Sequence, residues 1–446
     1  MKRNTAGAAV APRLKEKLET RKARIGVIGL GYVGLPLVLE FARAGFRVHG
    51  IDVDPRKVEN LGAGRSHIED VPASRVREAI DKGLFSTTSD FSIVSGLDAV
   101  IICVPTPLRK TRDPDISYIV SALDQVAPRV HRGMIVVLES TSYPGTTEEI
   151  LLPRLQQKGM KAGRDFFLAF SPERVDPGNR EYGIRNTPKV VGGITPVCGK
   201  MACTLYGQAI DRIVPVSSAR AAEMIKLLEN TFRSVNIALV NEIALICDRL
   251  GLDVWEIIDA AGTKPFGFMR FYPGPGLGGH CIPIDPQYLS WKLRTLDYQA
   301  RFIELAAEIN GQMPQYVLSR IVDTLNRRRK ALSGSKILLV GVAYKKDTSD
   351  TRESPALDLM RLLVERGARV RYHDPFVPVL KPGPYGPGGR SLPLTPAALR
   401  SFDCTVIVTN HSDVDYQAVV DGSRAVLDTR NATHGIRRGV SKVSRL

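Results

Sequence analysis

Arg24-Ile-Gly-Val-Ile-Gly29-Leu-Gly31-Tyr32-Val33-Gly34 is a short apolar run that passes directly into three glycines spaced Gly-x-Gly-x-x-Gly. The residues that follow, Leu35 to Ala44, carry apolar side chains at helical spacing. Arg47-Val-His-Gly-Ile-Asp52 then reads as a second strand, ending in an acid eighteen residues beyond the last glycine. Strand, glycine turn, helix and strand make one βαβ unit, the context in which such glycines carry meaning. The first glycine permits a tight turn, the second lets the backbone approach a pyrophosphate, and the third allows close packing of helix on strand. The N-terminus of the helix offers unpaired N–H groups to the phosphates. A glycine-rich turn alone is a common structural device, whereas the flanking elements and the acid together point to dinucleotide binding. A carboxylate at Asp52 accepts from both ribose hydroxyls and repels a 2′-phosphate, which favours NAD over NADP, and Lys57 offers an opposing positive charge.

Outward from this unit, further strands are expected at Asp98 to Val104, Met134 to Glu139 and Asp165 to Phe170, separated by helical or turn-like sequence. Such alternation argues a parallel, doubly wound sheet. After about Val214 the texture changes. Ala219 to Gly262 reads as helix throughout, Phe271 to Pro286 as a glycine- and proline-rich loop, and Gln287 to Lys330 as helix with a break near Met313-Pro314. Helices of this length often supply an interface between copies of a chain. Lys336-Ile-Leu-Leu-Val-Gly-Val-Ala343 restores the strand pattern. A helix from Ser354 to Arg366, a strand from Arg369 to His373, a Pro/Gly-rich loop from Val377 to Pro393 and strands at Cys404 to Thr409 and Ala425 to Asp428 follow it. The expected class is α/β, with two Rossmann-like doubly wound domains joined by a central long-helix domain. The expected divisions are a basic tail at 1–23, mobile or weakly helical, a dinucleotide domain at 24–214, a central helical domain at 215–330 and a second α/β domain at 331–446.

Length and composition agree with this division, since 446 residues with 43% hydrophobic content exceed one ordinary core. The net charge of +16 raises nucleic-acid or membrane-surface binding, but much of the excess sits between Lys2 and Arg24 and between Arg437 and Arg445. No helix-turn-helix, zinc or aromatic stacking pattern accompanies it, so nucleic acid is not the expected partner. No apolar run approaches the ~20 residues of a membrane span, and no secretory signal opens the chain. Cys103, Cys198, Cys203, Cys247, Cys281 and Cys404 are scattered without metal-site or disulfide spacing, which points to a reducing cytoplasm and no metal.

Cys281 stands in Gly278-Gly-His280-Cys281-Ile-Pro-Ile-Asp285. On chemistry alone two readings stay open: a reactive thiol in a polar glycine loop, or a small residue buried in a packed one. His280 is equally open as a fold residue, and Lys226 alone reads as a solvated helix lysine.

Seven ordered motifs carry a resemblance. They are Gly-Leu-Gly-Tyr-Val-Gly-Leu-Pro from Gly29, Val104-Pro-Thr106-Pro, Glu139-Ser-Thr141, Ser171-Pro-Glu173-Arg174, Lys226-x-x-x-Asn230, Gly-Gly-His-Cys281-x-Pro-x-Asp285 and Ala343-Tyr-Lys345-Lys-Asp-Thr-x-Asp-x-Arg352-Glu-Ser. Together they resemble the UDP-glucose/GDP-mannose dehydrogenase family over nearly the whole chain, from about residue 24 to about residue 430. The resemblance implies oxidation of the C6 primary alcohol of a UDP-sugar to a carboxylate with two NAD. Cys281 is similar to the nucleophile that forms a thiohemiacetal and then a thioester. Lys226 and Asn230, one helical turn apart, resemble the pair that stabilises the oxyanion. Asp285 with a water resembles the proton relay, and Glu173 and Thr141 the residues that handle the hydrolytic water.

The same resemblance implies cofactor contacts at Gly29, Gly31, Tyr32, Val33, Gly34, Asp52, Lys57, Thr106, Thr141 and Arg352. It implies substrate contacts at Glu173, Arg174, Lys226, Asn230, Phe271, Tyr272, Gly274, Gly276, Lys345 and Arg430. Ser171-Pro-Glu-Arg-Val-Asp-Pro-Gly-Asn179 and the loop before the cysteine look like the branch acting on UDP-N-acetylhexosamines, most nearly UDP-N-acetylglucosamine, with UDP-N-acetylmannosamine and UDP-glucose as alternatives. Cell-surface polysaccharide or O-antigen precursor synthesis is the implied pathway, and the long central helices point to a homodimer or higher homo-oligomer. Two readings compete. A two-electron β-hydroxyacid dehydrogenase would have no use for Cys281, and a non-catalytic NAD-binding protein would have none for the matched catalytic motifs.

Overall fold

The computed structural model describes residues 10–446 apart from 69, 110, 112, 157, 158, 177, 178, 180 and 280. His280 therefore lies outside the described residues. The chain divides into two compact units, Met1–Glu229 with Gln287–Tyr298, and Asn230–Pro286 with Gln299–Leu446. The boundary cuts through the central helical segment expected from the sequence, because the helix Ala219–Leu250 begins in the first unit and ends in the second.

The first unit is built on an eight-stranded sheet of β1 (Arg24–Ile28), β2 (Arg47–Ile51), β3 (Phe85–Thr88), β4 (Ala99–Ile102), β5 (Ile135–Leu138), β6 (Phe167–Phe170), β7 (Lys189–Gly193) and β8 (Ile213–Val216). Its order is β3-β2-β1-β4-β5-β6-β7-β8. The order reverses between β1 and β4, and ligands of such sheets bind in the crevice outside the strand ends at that point. Core side chains cover both faces, so the inner strands β4, β5 and β6 are fully buried apolar runs. The sheet departs from the all-parallel expectation at one place, since β6 and β7 run antiparallel.

The segment expected as a mobile or weakly helical tail is, from Val10 to Glu19, a docked helix. Leu14 and Leu18, four residues apart and so on one face, are buried in the core, the helix packs on the helix Pro196–Tyr206, and Lys17 Nζ lies 2.5 Å from Asp98 Oδ1.

The second unit holds a five-stranded parallel sheet, order β10-β9-β13-β14-β15, from β9 (Lys336–Val340), β10 (Arg369–His373), β13 (Cys404–Ile407), β14 (Val426–Asp428) and β15 (Val443–Arg445). A small antiparallel pair, β11 (Val379–Leu380) and β12 (Gly389–Arg390), occupies the Pro/Gly-rich loop. The turn after β9 repeats the turn after β1. Gly29 and Gly341 have φ of +93° and +86°, and each N–H donates to the last residue of the neighbouring strand at 2.8 Å. A Cβ at either position would meet a backbone carbonyl oxygen at 2.4 Å.

Three helix boundaries differ from expectation. Ala219 to Gly262 is two helices, Ala219–Leu250 and Val254–Ala261, parted at Gly251, whose φ is +71°. Residues 281–286 are not loop, because a helix begins at Cys281 and runs to Arg294 with Pro286 inside it. The break in the following helical stretch falls at 295–300, where Asp297 has φ +55°, and not at Pro314, which lies inside the helix Arg301–Asn326. Proline removes one helical N–H, and the turn there is packed from outside: a Cβ on Gly276 would lie 3.4 Å from the Asn310 carbonyl oxygen and 3.5 Å from Pro314 Cδ. Among the described residues, no helix is long and apolar enough to cross a membrane.

Candidate active site

The glycine loop after β1 is a cradle whose spare space is set by backbone. A Cβ on Gly34 would stand 1.8 Å from the Gly29 carbonyl oxygen, so the third glycine is required by the approach of helix to strand, whereas a Cβ on Gly31 would meet nothing within 4 Å. An open second glycine fits a backbone left clear for a pyrophosphate. Asp52 is buried at the end of β2. Its Oδ2 accepts from Leu30 N at 2.9 Å and from Lys57 Nζ at 3.5 Å, and its Oδ1 accepts from Asp54 N at 2.9 Å. A carboxylate has about four acceptor positions, so the loop and Lys57 orient Asp52 while leaving capacity for a ribose. Tyr32 is exposed and Val33 half-buried beside it. The residues present fit a dinucleotide.

Beyond this cradle, Thr106 is buried and its carbonyl accepts the Tyr288 hydroxyl at 3.0 Å. Thr141 follows β5, and its Oγ1 accepts from Lys226 Nζ at 2.6 Å. Lys226 is only 9% exposed, so it is not the solvated helix lysine that its sequence alone suggests. Glu173 follows β6. Its Oε1 accepts the amides of Arg174 and Val175, each at 2.8 Å, and its Oε2 accepts from Lys189 Nζ at 3.0 Å. Burial works against that carboxylate's charge, yet Lys189 and the two amides hold its pKa below the ordinary value. The Arg174 guanidinium turns to Glu229, at 2.5 and 3.1 Å, and to the Pro188 carbonyl.

In the second unit, Cys281 opens its helix and is exposed, while Asp285, one turn on, is buried. Asp285 Oδ2 accepts from Asn230 Nδ2 at 2.6 Å. The loop before the cysteine is glycine-rich for a steric reason. A Cβ on Gly274 would reach 2.3 Å from Arg430 Nη1, and one on Gly279 would reach 2.7 Å from the Tyr344 ring. Gly274 N donates to Asn241 Oδ1 at 3.0 Å. Burial pushes the Arg430 guanidinium's pKa down against the charge of Asp428. Phe271 packs edge-on to Phe232, and Gly276, at φ +137°, packs against Pro355. Tyr272 stacks on Trp255 and donates its hydroxyl to Asp259 at 2.6 Å. Arg352 is paired with Asp350 at 2.6 Å, and its carbonyl accepts Gly279 N. Lys345 sits in the turn beyond β9.

Within the first unit the structure thus brings together Thr141 with Lys226. Within the second it brings together Asn230 with Asp285, and Gly274 with Arg430. Sequence reasoning missed Lys189, Tyr206, Glu223 and Asn241. The signal for Lys189 was a lone cation opening the apolar run Lys-Val-Val-Gly-Gly, and for Glu223 a lone acid on the apolar face of a helix.

Three family models match the chain in order: the NAD binding domain of the UDP-glucose/GDP-mannose dehydrogenase family at residues 23–210, its central domain at 220–312 and its UDP binding domain at 338–435. The UDP-N-acetyl-D-glucosamine 6-dehydrogenase of Pseudomonas aeruginosa is 36% identical over 356 residues, covering 79% of this chain and 83% of that protein. The UDP-N-acetyl-D-mannosamine dehydrogenase of Escherichia coli K12 is 36% identical over 426 residues, covering 90% and 98%. The solved UDP-D-ManNAc dehydrogenase of Pyrococcus horikoshii superposes with a TM-score of 0.84 at 34% identity, covering 93% of this chain and 97% of that one. With its NAD-binding domain, its central domain and its UDP-binding domain all in place, this chain belongs to the UDP-glucose/GDP-mannose dehydrogenase family and is an NAD-dependent oxidoreductase.

Proposed function

We propose that this chain is a cytoplasmic enzyme that oxidises the C6 alcohol of a UDP-N-acetylhexosamine to a carboxylate, with UDP-N-acetylglucosamine as the first choice and UDP-N-acetylmannosamine as the alternative. The names of similar proteins include both of those sugars, and also N-acetylgalactosaminuronic acid and UDP-glucose dehydrogenases. The observation that carries the cysteine chemistry is the helix Cys281–Arg294, whose first residue is the thiol and whose buried Asp285, four residues on and so on the same face, is bonded to Asn230 at 2.6 Å.

Bound NAD supplies the hydride acceptor, twice per sugar, first from the alcohol and then from the cysteine adduct. Asp285, through water, takes the proton of the C6 hydroxyl. The Cys281 thiolate adds to the aldehyde carbon, forming the C–S bond as the carbonyl π pair moves onto oxygen. The N-terminus of its helix favours negative charge at that point. Lys226, steadied by Thr141, and Asn230 stabilise the oxyanion. Once the adduct has become a thioester, Glu173 with Thr141 orients the attacking water, the C–S bond breaks, and the thiolate leaves. Gly29, Gly31, Tyr32, Val33, Gly34, Asp52, Lys57, Thr106 and Arg352 are assigned to NAD. Arg174, Phe271, Tyr272, Gly274, Gly276, Lys345 and Arg430 are assigned to the UDP-sugar.

The test is stoichiometry on a panel of UDP-sugars. Two NADH and one uronic acid per sugar are expected, with kcat/KM highest for an N-acetylhexosamine. One NADH with an aldehyde or ketone product would remove the cysteine mechanism. Cys281→Ser is expected to stop acid formation while the fold and NAD affinity persist.

A further inference from the structure

Among the described residues, Lys189 is the most enclosed lysine near the candidate site, and none of the chemistry above uses it. It opens β7, is 4% exposed, and places Nζ 3.1 Å from Glu139 Oε2 and 3.0 Å from Glu173 Oε2. The same Nζ stands 5.3 Å from the centre of the Tyr206 ring, whose hydroxyl donates to Glu139 Oε1 at 2.5 Å. One ammonium therefore lies between two buried carboxylates that follow adjacent parallel strands, β5 and β6. Among the described residues, the other charged or titratable groups around the cluster are the buried Cys103 thiol, Lys226 bonded to Thr141, and Arg174, whose guanidinium is turned to Glu229.

We propose that Lys189 is a positioning residue for Glu173, holding that carboxylate ionised and in a single orientation for the hydrolytic step. The proposal rests on the reading of Glu173 as the group that orients the attacking water. Glu173 Oε1 is taken by the amides of its own turn, and among the described residues Lys189 is the side chain that holds Oε2. Without the ammonium, Glu139 and Glu173 lose the cation they both accept from, and two buried carboxylates left within reach of one another's charge share a proton. A proton on Glu173 removes the acceptor that orients water. The direction of the acid–base balance agrees: burial pushes Glu139 up against the pull of Lys189, whereas the Lys189 charge and two amides outweigh burial at Glu173.

The test is single-turnover hydrolysis of the Cys281 thioester across pH, using whichever of UDP-N-acetylglucosamine or UDP-N-acetylmannosamine the enzyme turns over. Lys189→Met is expected to move the acid limb upward by about one pH unit or more, with KM for the sugar nucleotide within about twofold, and Lys189→Arg to restore it. Glu139→Gln leaves the ammonium to Glu173 alone and is expected to move the limb downward, which tests the idea even if Lys189→Met fails to fold. An unmoved limb in Glu139→Gln, or a Lys189→Met loss that is equal at every pH, overturns the role of Lys189. Glu173→Gln separates the two claims. If it hydrolyses the thioester like the parent enzyme, the reading of Glu173 itself fails. If it accumulates thioester while Lys189→Met keeps the parent pH profile, only the inference about Lys189 fails.

Discussion

Glu223 is 1% exposed, and its carboxylate gathers three donors: Gly145 N at 2.6 Å, Thr147 N at 2.9 Å and Thr147 Oγ1 at 2.7 Å. It thereby ties the segment that follows Thr141 to the helix that carries Lys226 one turn further on. Burial nevertheless pushes its pKa up to about 7, against those donors and with help from Glu148. The sign of the consequence is fixed. In the window between about 4.5 and about 7 the unfolded chain has released this proton while the folded chain still holds it. The folded state therefore loses stability as pH rises through the window, by about 3 kcal/mol at most. Glu223→Gln removes the titration and adds a constant offset. Unfolding free energies at pH 5 and pH 8 are expected to show the parent losing ground to the variant by that order, and a difference that stays flat with pH would sink the assignment.

At the scale of elements, the helix Val10–Glu19 has two leucines in the core and one cross-link from Lys17 to Asp98. Leu18→Ala is expected to cost about 2–5 kcal/mol, read as a lowered denaturation midpoint with the binding of NAD retained. A midpoint equal to the parent's would mean that the helix does not dock. Its alternation of Ala, Lys, Arg and Glu concealed this, because two buried positions in ten residues make a weak periodic signal. By contrast β1, β2, β4, β5 and β6 were legible as apolar runs bounded by turns. Phe-Ser-Thr-Thr of β3 and Lys-Val-Val-Gly-Gly of β7 were not, since half-polar or glycine-bearing strands read as turns. Val-Ser-Arg of β15 reads as charged tail and becomes a strand only by pairing with β14. The helix at Cys281 was hidden by Pro283 and Pro286: proline is welcome in a first turn, but two of them beside glycines resemble a loop. Pairings such as Asn230 with Asp285 are visible only once tertiary contacts exist. The turn after β9, Gly341-Val-Ala-Tyr-Lys345, lacks the Gly-x-Gly-x-x-Gly spacing, and the acid beside it is already engaged. Asp374, placed as Asp52 is, accepts from Val342 N, Ala343 N, Phe376 N, Val377 N and His411 Nε2, and so has little acceptor capacity left for a ribose.

For the whole molecule, the question left by the long helix Ala219–Leu250 is what covers its outer face. Phe232, Leu239, Ile246 and Leu250 are all exposed, and their spacings of seven, seven and four place them on one stripe of the helix. A row of large apolar side chains on one face is characteristic of an interaction surface, whereas single exposed apolar residues are ordinary. A self-complementary helix stripe is suited to a two-fold contact between copies. The net charge of +16 opposes association in general, so pairing would need this local apolar area to outweigh long-range repulsion. Light scattering at physiological salt is expected to give at least twice the 48.9 kDa chain mass. Leu239→Asp with Ile246→Asp places two charges in the stripe and is expected to release the monomer, while lowering salt is expected to weaken the parent assembly because repulsion is then less screened. A parent protein that runs at the mass of one chain, or a double variant that still associates, would place the interface elsewhere or nowhere.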